Sequence, residues 1–92
     1  METCEIVYEE VKWGLINSKY KFWASAIGPQ GSYNAGSSPV FKNERTFGPS
    51  STDKQSLNAH NALIQKLIKD GWESTGDRGT AWFNYRFRRQ VK

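Results

Sequence analysis

Histidine and cysteine, the side chains that most often carry acid–base and nucleophilic chemistry near neutral pH, each occur once in this sequence. His60 lies three residues after Leu57 and four before Ile64, which places it on the apolar stripe of a predicted helix. It is expected there as a ring that flanks the core; the alternative is a general base or a ligand. Cys4 has no predicted base beside it, and free cysteines are frequently small buried hydrophobes. These residues predict a protein that is not an enzyme.

Motifs that hold nucleotides or metals are missing from the chain. There is no P-loop, no G-x-G-x-x-G, no paired-histidine metal motif and no G-x-S-x-G. One cysteine cannot form an intramolecular disulfide, and it argues strongly against a cysteine-based zinc site. We therefore expect no cofactor and no metal.

The location is predicted from composition. Residues 1–5, METCE, are acidic where a signal peptide would be basic, and no run approaches the roughly 20 apolar residues of a membrane span. A single free cysteine fits a reducing compartment. The expectation is a cytoplasmic protein that does not enter a membrane.

The 92 residues have the length of one domain, which we take as residues 1–92, and they carry a net charge of +4. The charges are unevenly spread. Residues 1–10 hold four glutamates and no base, whereas residues 86–92 hold four basic side chains and no acid. The favoured interpretation is that the two ends form neighbouring strands whose charges pair across the sheet. The alternative is a basic tail for nucleic acid or a membrane.

Three strands are predicted before the helix, over residues 4–13, 20–27 and 32–38. The first two are rich in β-branched and aromatic residues, and the Gly28–Gly31 segment predicts a turn between the second and third. The third is placed at an edge, because its Gly, Ser and Asn are poor in a central strand and Pro39 cannot donate to a ladder.

One amphipathic helix follows a polar loop over residues 42–51. Thr52 and Gln55 have the spacing of an N-terminal capping box, and Gly71 stands where a left-handed C-cap belongs. The predicted buried stripe consists of Leu57, Ile64, Leu67 and Ile68.

Two further strands are predicted at residues 71–75 and 80–89, with a turn at residues 75–79. The order β-β-β-α-β-β with a single helix indicates the α+β class: an antiparallel sheet with the helix packed on one face. The strand phase assigned to the helix side contains Ile6, Tyr8, Tyr20, Phe22, Ala24, Ala26, Phe83, Tyr85 and Phe87.

The opposite phase carries the candidate binding residues, because one helix cannot cover both faces of a five-stranded sheet. These residues are two tryptophans and three basic side chains: Trp23, Trp82, Lys21, Arg86 and Arg88. Exposed aromatic and arginine side chains are typical of protein interfaces, which predicts a protein partner or a homodimer. The alternative is a module that binds single-stranded nucleic acid weakly, with bases stacked on the rings and phosphates on the cations.

Landmark residues along the chain also resemble a set of small uncharacterised bacterial proteins. They include Cys4-Glu5-Ile6, the Gly28–Gly31 turn, the ending Gly71-Trp72-Glu73, Trp82, and Phe87-Arg88-Arg89. The resemblance implies a bacterial cytosol and the same domain boundaries. It implies no activity.

Overall fold

A computed structural model of the chain describes residues 1–12, 18–43 and 54–90. It has one helix packed against a six-stranded antiparallel sheet, so the predicted α+β class is confirmed. The elements are β1 (Glu2–Lys12), β2 (Ser18–Gly28), β3 (Gly31–Ser37), β4 (Phe41–Asn43), α1 (Lys54–Lys69), β5 (Glu73–Arg78) and β6 (Tyr85–Arg89). The short β4 was not predicted, and β6 begins five residues later than expected from the sequence.

The sheet runs in the order β3-β2-β1-β6-β5, and β4 extends it by pairing with the start of β2. The predicted edge position of β3 is therefore confirmed. Strands β1 and β6 bring the two charged ends of the chain together, with Glu2 opposite Arg89 and Glu5 opposite Arg86. The acidic start and the basic end of the sequence thus pair across neighbouring strands, as the favoured interpretation predicted.

Helix α1 ends at the predicted glycine. The Gly71 N–H donates to the Ile68 carbonyl and the Trp72 N–H to the Leu67 carbonyl, which is the Schellman pattern. Gly71 has a φ of 94°, where a side chain would be strained. At the other end, Thr52 lies outside the described residues, and the Gln55 Oε1 accepts a hydrogen bond from the Lys42 N–H of β4. Within the described residues, no helix has the length and hydropathy needed to cross a bilayer.

The buried side of α1 differs from the predicted stripe. Leu67 is buried and Ile64 half-buried, but Leu57 and Ile68 are 37% and 52% exposed, so their assignment to the core was wrong. The buried positions are instead Ser56, Ala59, His60, Leu63 and Leu67. The apolar pattern alone could not show this, because three of the five buried positions are small or polar residues.

The core on the sheet side follows the predicted strand phase. Two of its residues are not fully buried: Tyr8 is 44% exposed, although it packs on Tyr20 and Phe83, and Tyr85 is half-buried against the core. Phe22 is fully buried and stacks on Phe41 at 5.1 Å between ring centroids. The predicted sheet positions that are buried are Ile6, Tyr20, Phe22, Ala24, Ala26, Phe83 and Phe87.

A polar network closes one end of the sheet. The Glu2 carboxylate accepts hydrogen bonds from the Tyr33 hydroxyl of β3 and from the Arg89 guanidinium of β6 at 2.8 Å. Arg89 also donates to the Asp70 carbonyl and stacks on the Trp72 ring at 4.6 Å. This network links β1, β3, β6 and the segment that leaves the helix.

We expect Phe22→Ala to lower the free energy of unfolding by about 3–5 kcal/mol, because it removes a fully buried ring and leaves a cavity. Denaturant unfolding would measure the loss. Ile68→Ala, at an exposed position of α1, is the matched control and should change stability by no more than about 0.5 kcal/mol. Equal losses for the two variants would contradict this core.

The Glu2 network makes stability depend on pH. Hydrogen bonds from Tyr33 and Arg89 lower the pKa of the Glu2 carboxyl below 4.5, so the network stabilises the fold above that pH. Its contribution is lost as the pH falls through the lowered pKa. Glu2→Gln should therefore be less stable than the natural chain at neutral pH, and the difference should shrink in acid. A melting-temperature difference that stays constant with pH would refute this role.

Candidate interaction surface

The sheet face turned away from α1 is the first candidate surface, and we call it the open face. It carries Val7, Trp23, Ser25, Ile27 and the charged side chains that alternate with the core positions of β1, β2 and β6. Val7 lies opposite Trp23 in the β1–β2 register, and Glu5 lies opposite Ser25. Val7 and Trp23 are half-buried, and Ile27 is 63% exposed.

Trp82 does not lie on the open face, which corrects the expectation that it pairs with Trp23. Residues 81–84 form a turn rather than part of β6. Asn84 holds this turn: its side-chain oxygen accepts from the Ala81 N–H at 2.9 Å, and its amide nitrogen donates to the Ile6 carbonyl at 2.9 Å. The period-2 alternation therefore begins at Tyr85, and it cannot assign a face to Trp82.

The Trp82 ring packs on the helix side of the sheet. Its centroid lies 5.1 Å from that of His60 and 5.8 Å from that of Phe22. The structure thus separates the two predicted tryptophans: Trp23 is on the open face and Trp82 beside α1.

The three basic residues predicted for the open face each have an acidic neighbour. Arg86 Nε lies 2.6 Å from a Glu5 oxygen, and this hydrogen bond raises the pKa of the Arg86 guanidinium. The other two predicted basic residues follow the same pattern: Lys21 lies 3.6 Å from Glu9, and Arg88 lies 4.0 Å from Glu73. The face therefore presents both signs of charge around Val7 and Trp23, without a basic stripe.

His60 is buried among aromatic rings. Its Nε2 lies 3.0 Å from the Phe83 carbonyl, so this nitrogen is the donor, and the ring packs on Phe22 and Tyr85 at 5.3 Å and 4.8 Å. Burial is the main cause that lowers the His60 pKa below 6.5, and the neighbouring Arg78 charge acts in the same direction. The position matches the predicted core-flanking ring.

Cys4 is buried at the pairing of β1 with β2 and β6. Burial raises the pKa of its thiol to about 12, so the reactive thiolate is suppressed at neutral pH. In the part of the chain that the structure describes, no cluster of three or more His, Cys, Asp or Glu side chains could hold a metal ion. That the protein is not an enzyme stays a prediction.

His60 predicts a second pH dependence, separate from that of Glu2. Because the folded state resists protonating this ring, the unfolded chain binds the proton first as the pH falls below 6.5. The free energy of unfolding should decline as the pH falls through 6.5 toward the lowered pKa of the folded ring. His60→Gln, which retains a donor for the Phe83 carbonyl, should flatten this decline in chemical denaturation. The same slope in both proteins would rule out His60 as its origin.

Comparisons with known proteins found no matching family model, no similar curated protein and no similar solved structure. The resemblance to a set of small bacterial proteins therefore stays a prediction.

Proposed function

We propose that this protein is a non-enzymatic interaction module that self-associates through its open face. The observation that carries the proposal is the arrangement of that face: a half-buried Val7–Trp23 pair surrounded by ion pairs of both signs. A twofold dimer places the same patch on both partners, so each patch must complement itself. A neutral face with alternating acids and bases meets this requirement, whereas a face of one sign repels its copy.

Tryptophan and arginine are the residue types that most often dominate the energy of protein interfaces. Trp23 supplies an apolar centre next to Val7, and Arg86 and Arg88 supply flat guanidinium groups at its border. Exposed Ile27 extends the apolar area along β2. These side chains offer contact area without requiring a deep pocket.

The size of the face predicts a weak dimer. The five strands of the main sheet are 5 to 11 residues long; at about 3.4 Å per residue and about 4.8 Å between strands, they cover on the order of 650 Å² of flat area. Standard stable interfaces bury about 800 Å² per partner. We therefore expect a monomer–dimer equilibrium that shifts with protein concentration.

The alternative, weak binding of single-stranded nucleic acid, gains no support from the same face. Its phosphate ligands would be Lys21, Arg86 and Arg88, and each already lies beside a glutamate. Its second stacking platform, Trp82, lies on the other side of the sheet. Binding of phosphates would have to break these three ion pairs, and in exchange the bases could stack on only one ring of the predicted pair, that of Trp23.

Sedimentation velocity over a wide range of protein concentration tests the proposal. The natural chain should shift from monomer to dimer, and Trp23→Ser should stay monomeric. Ser25→Lys is a second variant: its long side chain reaches water in the monomer but obstructs face-to-face packing. Leu57→Ser, which removes an apolar side chain from α1, is the matched control and should dimerise normally.

Several outcomes would contradict self-association through this face. One is a natural chain that remains monomeric at the highest concentration; another is dimerisation unaffected by Trp23→Ser and Ser25→Lys. A mixed-sequence single strand that shifts the Trp23 indole signal in NMR at low salt, and releases it at high salt, would instead support nucleic-acid binding.

A further inference from the structure

Helix α1 carries a second apolar stripe that the core does not use. Leu57, Ile64 and Ile68 lie within about 40° of one another around the helix, roughly 90° from the buried positions. Leu57 and Ile68 are 37% and 52% exposed, and Ile64 is half-buried against the core. Three large aliphatic side chains in one row are more than the isolated exposed apolar residue that needs no explanation.

The contacts of its neighbours show where this stripe points. Leu63 and Lys66 approach Gly36 of β3, so that flank of α1 faces the β3 edge. His60, on the opposite flank, packs on Tyr85 at 4.8 Å and on Trp82. Leu57, Ile64 and Ile68 lie next to His60 around the helix, on the side away from Lys66, so the stripe is on this second flank, near β6. Together, the stripe and the half-buried Trp82 and Tyr85 rings form what we call the flank groove.

The free charge around the flank groove is positive. Arg78 of β5 stacks on the Tyr85 ring at 4.2 Å and forms no ion pair with any described residue. The adjacent acid, Asp77, lies near Arg86 on the open face, and its negative charge helps to raise the pKa of Arg86. Helix α1 contributes no acidic residue to the groove.

This distribution differs from that of the open face, where Lys21, Arg86 and Arg88 each lie beside a glutamate. An apolar row beside an unpaired arginine complements a ligand that carries both apolar and carboxylate groups. Nucleic acid offers little aliphatic surface for Leu57 and Ile68, so the apolar row favours a peptide.

We propose that the flank groove binds an acidic amphipathic segment of a partner protein. Apolar side chains of the segment pack on Leu57, Ile68 and the Tyr85 ring, and one of its carboxylates binds the Arg78 guanidinium. This surface is separate from the open face, so the proposal does not depend on self-association.

The probe is a short synthetic helical peptide with leucines on one face and glutamates on the other. We expect it to shift the NMR signals of Leu57, Ile64, Ile68 and Tyr85 and to leave the Trp23 indole signal unchanged. Arg78→Gln and Ile68→Ser should each weaken binding about tenfold in fluorescence anisotropy. Lys66→Gln removes the same charge from the other flank of the helix and is the matched control. Trp23→Ser should bind the peptide normally.

Three results would overturn the proposal. The first is no binding of the acidic peptide. The second is equal binding of a peptide in which lysines replace the glutamates. The third is binding of a single-stranded oligonucleotide, or of phosphatidylserine vesicles, that shifts the same signals more strongly than the peptide does. Because Trp23→Ser and Ile68→Ser act on different surfaces, failure here is distinguishable from failure of self-association.

Discussion

Phe22 lies where the parts of this small fold meet. Its ring contacts Phe41 of β4, His60 of α1, and the turn residues Trp82 and Phe83. Its backbone is held as well, because the Phe22 N–H donates to the Ser38 hydroxyl and its carbonyl accepts from the Ser38 N–H. A chain with few large aliphatic residues builds its core from such ring contacts, since each aromatic ring buries about 150–250 Å². Through these contacts, Phe22 joins β2 to β4, to α1 and to the turn at residues 81–84.

Strand β1 lies between β2 and β6, and this central place determines how charge is distributed over the molecule. Because β1 pairs with β6, the acidic start of the sequence neutralises the basic end, through Glu2 with Arg89 and Glu5 with Arg86. Exposed pairs such as Arg86–Glu5 contribute little stability, in general about 0–1 kcal/mol. Their main consequence is electrostatic: acids and bases alternate on the open face, whereas no described acid forms an ion pair with Arg78 or with the lysines of α1.

Local patterns in the sequence predicted the features that local physics controls. Alternation identified the faces of β1 and β2, and Gly71 identified the end of α1, because both depend on residues close in the chain. Trp82 was misplaced because its position depends on Asn84, whose amide bonds the carbonyl of Ile6 near the other end of the sequence. A contact between residues so far apart in the sequence cannot be predicted from the spacing of neighbouring residues. The predicted face of Trp23 therefore agrees with the structure and that of Trp82 does not, while the binding role of the surface stays a prediction.

The rotation of α1 relative to its apolar pattern connects packing with the flank groove. Small side chains are buried on both elements: Ser56 and Ala59 on the helix, and Ala24 and Ala26 on the sheet. Small residues allow a helix to lie close to a sheet, and His60 can join them because the Phe83 carbonyl satisfies its Nε2. Leu63 and Leu67 supply the large apolar contacts of this buried side, and Leu57 and Ile68 lie at its flank. The close approach that completes the core thus also leaves an apolar row beside Tyr85, and a partner that covers this row need not disturb the core.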